Sequence, residues 1–309
     1  MAPVVSSLWI FPIKSCGGIQ VQEAHLSKYG LLNDRIFTVI DPATNIKRTM
    51  RELPRMVLIE PKIDGDNLVI TAGDKSLTVP LNPDHSKYES VTVNIWDELV
   101  KGADMGDEAA KLFSDFLEVP CRLVHKSPTD VRAVVEHSPG PKEIGFQPET
   151  AFADNFPILV LSEESVADIN TRLETPVKAL NFRPNVIVTG VSKPWDEDMW
   201  VLANIHGIPY YFSCRCTRCS LPNVDPVTGV KDKLQPQKTL QSYRRVDKGK
   251  KAKFTACVGI NAIPGVKSGV MQVGDVIEVK QVFEGERKRT GANIWATSEA
   301  ELDALTAAA

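Results

Sequence analysis

Three of the six cysteines in this 309-residue chain lie within six residues of one another, at Cys214, Cys216 and Cys219. A deprotonated sulfur is a good nucleophile and metal ligand, and the charges of the adjacent Arg215 and Arg218 favour that form. In a reducing compartment, clustered cysteines indicate metal, cofactor or redox chemistry before they indicate disulfides. The cluster is therefore the first candidate for a functional site.

The residues alone leave three interpretations of this cluster open. It is a buried group of cysteines without function, or it is a zinc or iron–sulfur site. Such a site takes four ligands, and only His206 is a candidate to complete the three sulfurs. In the third interpretation, a single thiolate holds one metal whose other ligands come from a cofactor.

A sharp loop, VDPVTG, follows the cluster at residues 224–229. Pro226 restricts Asp225 to extended conformations, and Gly229 permits a tight turn. A carboxylate so close to a metal-binding thiolate could transfer protons. The common alternative for an Asp in a loop is an Asx turn, in which the carboxylate binds its own backbone.

Basic residues in three other segments suit an anion. Lys14 and Ser15 lie where a strand pattern enters a glycine-rich turn, so backbone N–H groups, the ammonium and the hydroxyl could cradle a phosphate. Arg183, in the segment NFRPN, offers a planar fork for phosphate or a polar heterocycle. Arg35 is the third basic candidate.

Short apolar segments separated by turn residues predict β-structure over the first hundred residues. Residues 64–67 predict a hairpin turn, residues 107–117 an amphipathic helix, and Ser162 the N-cap of a second helix. Residues 126–150 contain four prolines and predict a long loop or lid. Later strands and a short C-terminal helix complete a mainly β pattern.

The charge balance, 36 Lys and Arg against 39 Asp and Glu, gives no support to nucleic-acid binding. The one strongly basic run, residues 248–253, is expected to be a solvated loop. No apolar stretch approaches 18 residues, so we expect no transmembrane segment, and the N-terminus lacks the basic region of a secretory signal. We predict a cytoplasmic protein, with association to mitochondria as the alternative.

Taken together in chain order, these segments resemble the MOSC-domain proteins, in particular the mitochondrial amidoxime-reducing components and their bacterial relatives. The similarity extends over roughly residues 4–280. The segments that carry it are Pro12-Ile13-Lys14-Ser15-Cys16, Asp34-Arg35, Asp154-Asn155-Phe156-Pro157, Leu161-Ser162-Glu163, Asn181-Phe182-Arg183-Pro184-Asn185, and residues 216–219 followed by residues 224–229.

The resemblance implies a mainly β (α+β) fold in two parts. Residues 1–125 would form an N-terminal β-barrel-like domain, and residues 126–309 a MOSC β-barrel domain with a few peripheral helices and a short C-terminal helix. It also implies the molybdenum cofactor, a molybdopterin whose dithiolene binds the metal. Cys219 matches the protein ligand to molybdenum. Further residues match positions that hold the pterin and its phosphate: Lys14, Ser15, Arg35, Asn155, Arg183, Asn185 and Thr217.

The implied activity is that of an oxidoreductase which reduces small N-hydroxylated compounds, such as amidoximes and hydroxylamines. Asp225 is our candidate for a nearby acid or base. Electrons are expected from a separate protein, such as cytochrome b5 with its reductase or a ferredoxin-type protein. The alternative function is a molybdenum cofactor carrier or a sulfur-transfer module without reductase turnover. Neither a nucleic-acid partner nor a transmembrane segment is expected.

Overall fold

The computed structural model describes residues 2–290 and 293–308. Its strands in chain order are β1 (Val4–Ile10), β2 (Ile19–Val21), β3 (Glu23–Ser27), β4 (Gly30–Leu31), β5 (Phe37–Ile40), β6 (Glu60–Asp64), β7 (Asn67–Ala72), β8 (Lys75–Pro80), β9 (Ser90–Ile95), β10 (Glu98–Asp104), β11 (Arg122–Lys126), β12 (Ile158–Ser162), β13 (Val186–Thr189), β14 (Trp200–Ile205), β15 (Ile208–Thr217), β16 (Cys257–Pro264), β17 (Val270–Gln272) and β18 (Ile277–Val282). The α-helices are α1 (Asp107–Leu117), α2 (Pro141–Ile144), α3 (Glu163–Asn170), α4 (Gln237–Tyr243) and α5 (Glu299–Ala308).

The strands form one large sheet and three smaller ones. The large sheet has the spatial order β18-β14-β15-β16-β12-β13-β1-β2, and the smaller sheets have the orders β5-β11-β10-β9, β17-β3-β4 and β6-β7-β8. Within the large sheet β12 pairs with β13 in parallel, and the other pairs are antiparallel. The predicted mainly β fold is confirmed.

The first strands of the chain pair with strands from its second half. β1 is antiparallel to β13, with Val5 opposite Val188, and β3 is antiparallel to β17, with Ala24 opposite Met271. A boundary at residue 125 therefore does not separate the sheets. The division into domains of residues 1–125 and 126–309 stays a prediction.

Two main cores lie on either side of this crossing. One packs the strands of the first half against α1 and contains Phe37, Met56 and Phe113, each fully buried. The other fills the large sheet and contains Leu8 and Phe212. Burying an apolar side chain of this size contributes about 1.5–3 kcal/mol. The segment that joins β1 to β2 must therefore pass between two well-packed bodies.

The predicted helix over residues 107–117 is confirmed as α1, which buries Leu112 and Phe113 against the first core. The predicted hairpin turn lies between β6 and β7, where Asp64 is opposite Asn67. Residues 127–150 are largely irregular, with the four-residue helix α2 in their second half. In the ranges 2–290 and 293–308, no helix has both the length and the apolar character needed to cross a membrane.

The predicted N-cap at Ser162 is also confirmed. Its Oγ accepts the N–H of Ser165 at 3.1 Å and lies 2.9 Å from a carboxylate oxygen of the buried Glu197. Burial raises the pKa of Glu197, and the neighbouring charge of Asp198 raises it further. The hydroxyl of Ser162 thus joins the end of β12 to a polar cluster that has little access to water.

We predict that Ser162→Ala lowers the free energy of unfolding by about 1–3 kcal/mol, because it removes a cap and a partner of a buried carboxyl group. Urea denaturation measures this loss. Ser76→Ala, at an exposed position of β8, is the matched control and should change stability by no more than about 0.5 kcal/mol. Equal stabilities of the two variants would contradict the assigned role.

Candidate cofactor-binding site

Residues 11–18 carry the chain from the large sheet to the sheets of the first half. Backbone hydrogen bonds fix this segment on the second side, from Lys14 N to Phe37 O and from Gly17 N to Ile59 O, each at 2.9 Å. A Cβ at Gly17 would lie 2.8 Å from Ile59 O, so only glycine permits this approach. Ser15 has a positive φ of 69°. The crossing therefore presents Lys14 and Ser15 at the seam between the two bodies.

Two adjoining cavities of about 120 Å³ and 380 Å³ open at this seam. The first is lined by seven of the predicted site residues: Lys14, Ser15, Arg35, Asn155, Arg183, Asn185 and Cys219. The second adds Thr217 and shares Asn155 and Cys219 with the first. The fold thus brings together segments that lie more than 200 residues apart in the chain. Asp225 lines neither cavity.

Arg35 is held by a fixed set of acceptors. Its Nη1 donates to Asp34 at 2.6 Å and to Asn185 Oδ1 at 2.9 Å, and its Nη2 donates to the carbonyl of Arg183 at 3.0 Å. The Asn185 amide is used on both sides, because its Nδ2 donates to Trp9 O at 3.2 Å. In this structure Asn185 therefore orients Arg35, and its own polar atoms are already engaged.

Arg183 differs from Arg35 because part of its guanidinium has no partner. Its Nη2 is buried and donates to no acceptor among the described residues. The guanidinium lies 4.1 Å from the centre of the Phe11 ring, and that of Arg35 lies 4.6 Å from the same ring. Burial lowers the pKa of Arg183 to about 9, and the charge of Arg35 contributes. A buried, unsatisfied cation is costly unless an anion or acceptor pairs with it.

Lys14 is paired but strongly desolvated. Its Nζ donates to Phe152 O at 2.8 Å and to Asp154 Oδ1 at 2.5 Å, and Trp96 Nε1 donates to the same oxygen at 2.9 Å. Burial lowers the pKa of Lys14 from 10.5 to about 8, against the opposing effect of Asp154. Although desolvation raises the pKa of Asp154, the Lys14 ammonium holds it well below its usual range.

The lining of the first cavity carries an excess of positive charge. Its cations are Lys14, Arg35, Arg51, Arg183 and Arg218, and its carboxylate is Asp154. Of these cations, Lys14 pairs with Asp154 and Arg35 with Asp34, whereas Arg51, Arg183 and Arg218 pair with no carboxylate among the described residues. Such a cavity selects an anionic ligand. The charge and the unpartnered Arg183 nitrogen both fit a phosphate-bearing cofactor.

The three clustered sulfurs lie in different surroundings. Cys214 is buried, and burial raises the pKa of its thiol to about 11. Cys216 is half-buried, and its Sγ accepts from Arg218 Nη1 at 3.0 Å. Cys219 is exposed, and its Sγ accepts the N–H of Leu221 at 3.4 Å. Cys219 is thus the most accessible of the three thiols, and it lines both cavities, as does Cys216.

The zinc interpretation is wrong for the part of the chain that is described. No three His, Cys, Asp or Glu side chains there converge to hold a metal ion. His206 lies at the turn between β14 and β15 and bonds Asp275 at 2.9 Å. A metal held by one protein thiolate, with its remaining ligands from a cofactor, is the interpretation that stays compatible with this arrangement.

The Asp225 carboxylate closes its own loop. Its Oδ1 accepts the backbone N–H of Val227 at 2.9 Å and both the N–H and the hydroxyl of Thr228, at 2.7 and 3.0 Å. Despite opposing desolvation, these bonds lower its pKa. This geometry is the Asx-turn alternative and gives no support to proton transfer by Asp225. The start of the loop is bound to the NFRPN segment by Asn181, whose Nδ2 donates to Val224 O at 3.3 Å and to Pro222 O, just before the loop, at 3.0 Å.

Sequence reasoning missed Trp96, which lines both cavities. It lies in the two-residue turn between β9 and β10, where Trp96 and Asp97 have φ angles of 55° and 68°. Such turns are usually marked by Asn or Gly, and neither residue is present here. The Trp96 ring is held by Lys47, whose Nζ is 3.9 Å from its centre. Arg218 was named in the sequence only as a charge that favours the thiolate, and its position in the walls of both cavities was not predicted.

The structure is thus a mainly β protein in which a cation-rich cavity lies beside an exposed thiol. Residues 2–120 match the MOSC N-terminal beta barrel domain, and residues 147–278 match the MOSC domain. The chain belongs to the MOSC-domain family that includes the mitochondrial amidoxime-reducing components.

The similarity to curated relatives extends over most of the chain. Mitochondrial amidoxime-reducing component 1 of Mus musculus is 37% identical over 81% of this chain and 74% of its own. The Homo sapiens component 1 is 38% identical over 79% of this chain and 72% of its own. Component 2 of Homo sapiens is 34% identical over 88% of this chain and 82% of its own.

We predict that the Lys14 side chain titrates near pH 8, so that the positive charge of the cavity weakens as the pH rises through that value. NMR of protein with 13C-labelled lysine would show one side-chain signal with this midpoint, absent in Lys14→Met. In Asp154→Asn the midpoint should move to lower pH, because the carboxylate that stabilises the ammonium is removed. A Lys14 midpoint at its ordinary value would contradict the burial argument.

Proposed function

We propose that this protein is a molybdenum cofactor-dependent oxidoreductase that reduces small N-hydroxylated compounds, such as amidoximes and hydroxylamines. One observation carries the proposal: the exposed thiol of Cys219 lies in the wall of a cavity with a marked excess of cations. Membership of the MOSC-domain family and the names of its relatives support it. The same chemistry suits an anionic cofactor whose metal takes a thiolate ligand.

In this proposal Lys14, Arg35 and Arg183 bind the phosphate and the polar edge of the molybdopterin, and Cys219 binds the metal. A thiolate beside a dithiolene is a soft donor set of the kind that such a metal prefers. Ser15, Asn155 and Thr217 would complete the contacts to the pterin, since they line the same cavities: Ser15 the first, Asn155 both, and Thr217 the second. Asn185 acts by orienting Arg35.

When bound, the cofactor supplies the electron pair that converts an N–OH group and two protons to N–H and water. The chain positions the thiol for this role. The Leu221 N–H directed at Cys219 Sγ stabilises negative charge on that sulfur, whereas the Arg218 guanidinium donates to the neighbouring sulfur of Cys216. Arg218 is fixed there by a 2.6 Å bond to Phe182 O. Trp96 forms part of the wall of both cavities.

Electrons come from a separate donor in this proposal, such as cytochrome b5 with its reductase or a ferredoxin-type protein. We propose a cytoplasmic location from the sequence, and the mitochondrial names of the relatives make association with mitochondria the alternative. The residues that matter for turnover, Cys219 and the cavity cations, are the same in either compartment.

We predict that protein made in a host that synthesises the cofactor carries stoichiometric molybdenum and reduces benzamidoxime with reduced methyl viologen. Cys219→Ala removes the metal ligand itself. It should therefore lower this activity by more than the loss of about 10–100-fold that follows when a residue supporting a metal ligand is replaced. Cys214→Ala, the matched control at a buried thiol, should keep most of it. Metal analysis and steady-state rates of the three proteins make the test.

Two outcomes would overturn the proposal. Absence of molybdenum in the wild-type protein, while other proteins of the same host contain the cofactor, would exclude its use. Stoichiometric molybdenum without turnover of any N-hydroxylated substrate would indicate a cofactor carrier or a sulfur-transfer module instead. Equal activity of Cys219→Ala and Cys214→Ala would contradict the assignment of Cys219 as the metal ligand, but not the reductase function.

A further inference from the structure

Residues 245–254, which we name the basic loop, have a strong excess of positively charged side chains, whereas the chain as a whole does not. The loop has five cations, Arg245, Lys248, Lys250, Lys251 and Lys253, in a protein whose net charge is −3. All five are exposed, whereas the single acid of the loop, Asp247, is fully buried. The charged groups on the outer surface of the loop are therefore all cationic.

The basic loop is fixed in place. Asp247 Oδ1 accepts the backbone N–H groups of Gly249 and Arg289, each at 2.9 Å, and Lys251 N donates to Arg289 O at 3.2 Å. Gly249 lies so close to Arg289 that a Cβ there would be 2.2 Å from its carbonyl oxygen. The lysines thus project from a preorganised backbone, which is a feature of binding surfaces and not a requirement of a solvated loop.

Most of this charge is not used within the chain. Lys248 pairs with Glu286 at 2.9 Å, but Lys250, Lys251 and Lys253 pair with no carboxylate of residues 2–290 or 293–308. Phe254 follows them and is 73% exposed. An exposed aromatic ring beside lysines matches the usual composition of an interface, with an aromatic anchor and a charged rim that steers the partner.

The basic loop lies at the edge of the proposed redox site. Thr255, the residue that follows the loop, lines the second cavity. Arg289, whose backbone N–H donates to Asp247 of the loop, lines it too. That cavity is also lined by Cys219. A partner seated on Phe254 and the lysines would therefore lie next to the cavity that holds the thiol. This position favours an electron-transfer protein over a nucleic acid, which has no reason to bind at a redox cavity.

We propose that the basic loop is the docking surface for the electron-donor protein and that it binds an acidic face of that protein. The proposal rests on the reductase function given above and names the contact through which electrons enter. Lys250, Lys251 and Lys253 supply the attraction, and Phe254 the apolar contact. None of these residues lines the cofactor cavities.

The test compares Lys250→Glu/Lys251→Glu/Lys253→Glu with a control of the same charge change, Lys62→Glu/Lys87→Glu/Lys111→Glu, at exposed positions of the first half. Binding of cytochrome b5 and of a plant-type ferredoxin, both acidic probes, is measured directly by calorimetry. Benzamidoxime reduction is measured with each reduced probe and, separately, with reduced methyl viologen, which needs no docking surface. All measurements are made at low and at high salt.

We expect at least one probe to bind the wild type and the control, and binding and probe-supported turnover to fall about tenfold to thousandfold in the loop variant at low salt. High salt should abolish most of this difference. Viologen-supported turnover should stay the same in all three proteins. Phe254→Ala should weaken probe binding also at high salt, since its contact is apolar.

Three results would overturn the docking proposal: neither probe binds the wild type, the loop variant and the control bind equally, or the loop binds RNA or anionic vesicles in preference to both probes. Failure of the reductase function is a separate outcome, because it abolishes viologen-supported turnover in the wild type. The calorimetric result remains decisive for the loop in that case.

Discussion

Two guanidinium groups, those of Arg35 and Arg183, lie against the same ring of Phe11, at 4.6 and 4.1 Å from its centre. Only Arg35 has a carboxylate partner, Asp34. Like charges this close repel each other, and burial adds a desolvation cost that lowers the pKa of Arg183. An anion between them would relieve both effects. The need to satisfy the buried guanidinium of Arg183, next to the partly buried Arg35, is the constraint on which the rest of the site depends.

The cations come together because the fold joins two separately packed bodies at one seam, and the cavity that they line lies at that seam. Because β1 pairs with β13, residues 11–18 must leave the large sheet and cross to the sheets of the first half. Ser15, Arg35 and Arg183 all have positive φ angles there. Such angles are costly for residues other than glycine and persist where the surroundings fix them. The strained backbone at the seam thus lowers the stability of the fold, and the packing of the two cores offsets this cost.

Seven of the predicted site residues line one cavity, and their role in binding a cofactor stays a prediction. The basic segments and the cysteine cluster are local patterns, and the structure brings them to one cavity. The role of Asp225 was left between two alternatives, and the hydrogen bonds to Val227 and Thr228 favour the structural one. The pairing of β1 with β13 was not predicted, because a strand's own residues do not specify a distant partner. Trp96 was missed because its turn lacks Asn and Gly.

Local signals predicted the secondary structure where they were strong. α1 begins at Asp107 and ends at Leu117, as its apolar spacing indicates, and Ser162 caps α3. The basic loop shows the opposite case. Its composition is typical of a solvated loop, and only the backbone contacts of Asp247 and Gly249 with Arg289 reveal that it is rigid and adjoins the cavity.

The most direct test of the central claim, that Cys219 is the protein ligand of a molybdenum centre in this cavity, is X-ray absorption at the molybdenum edge, which counts the sulfur neighbours of the metal. The wild type and Cys214→Ala should give the same number. Whatever molybdenum Cys219→Ser retains should have one sulfur neighbour fewer. An unchanged sulfur count in Cys219→Ser at full molybdenum content would contradict the account.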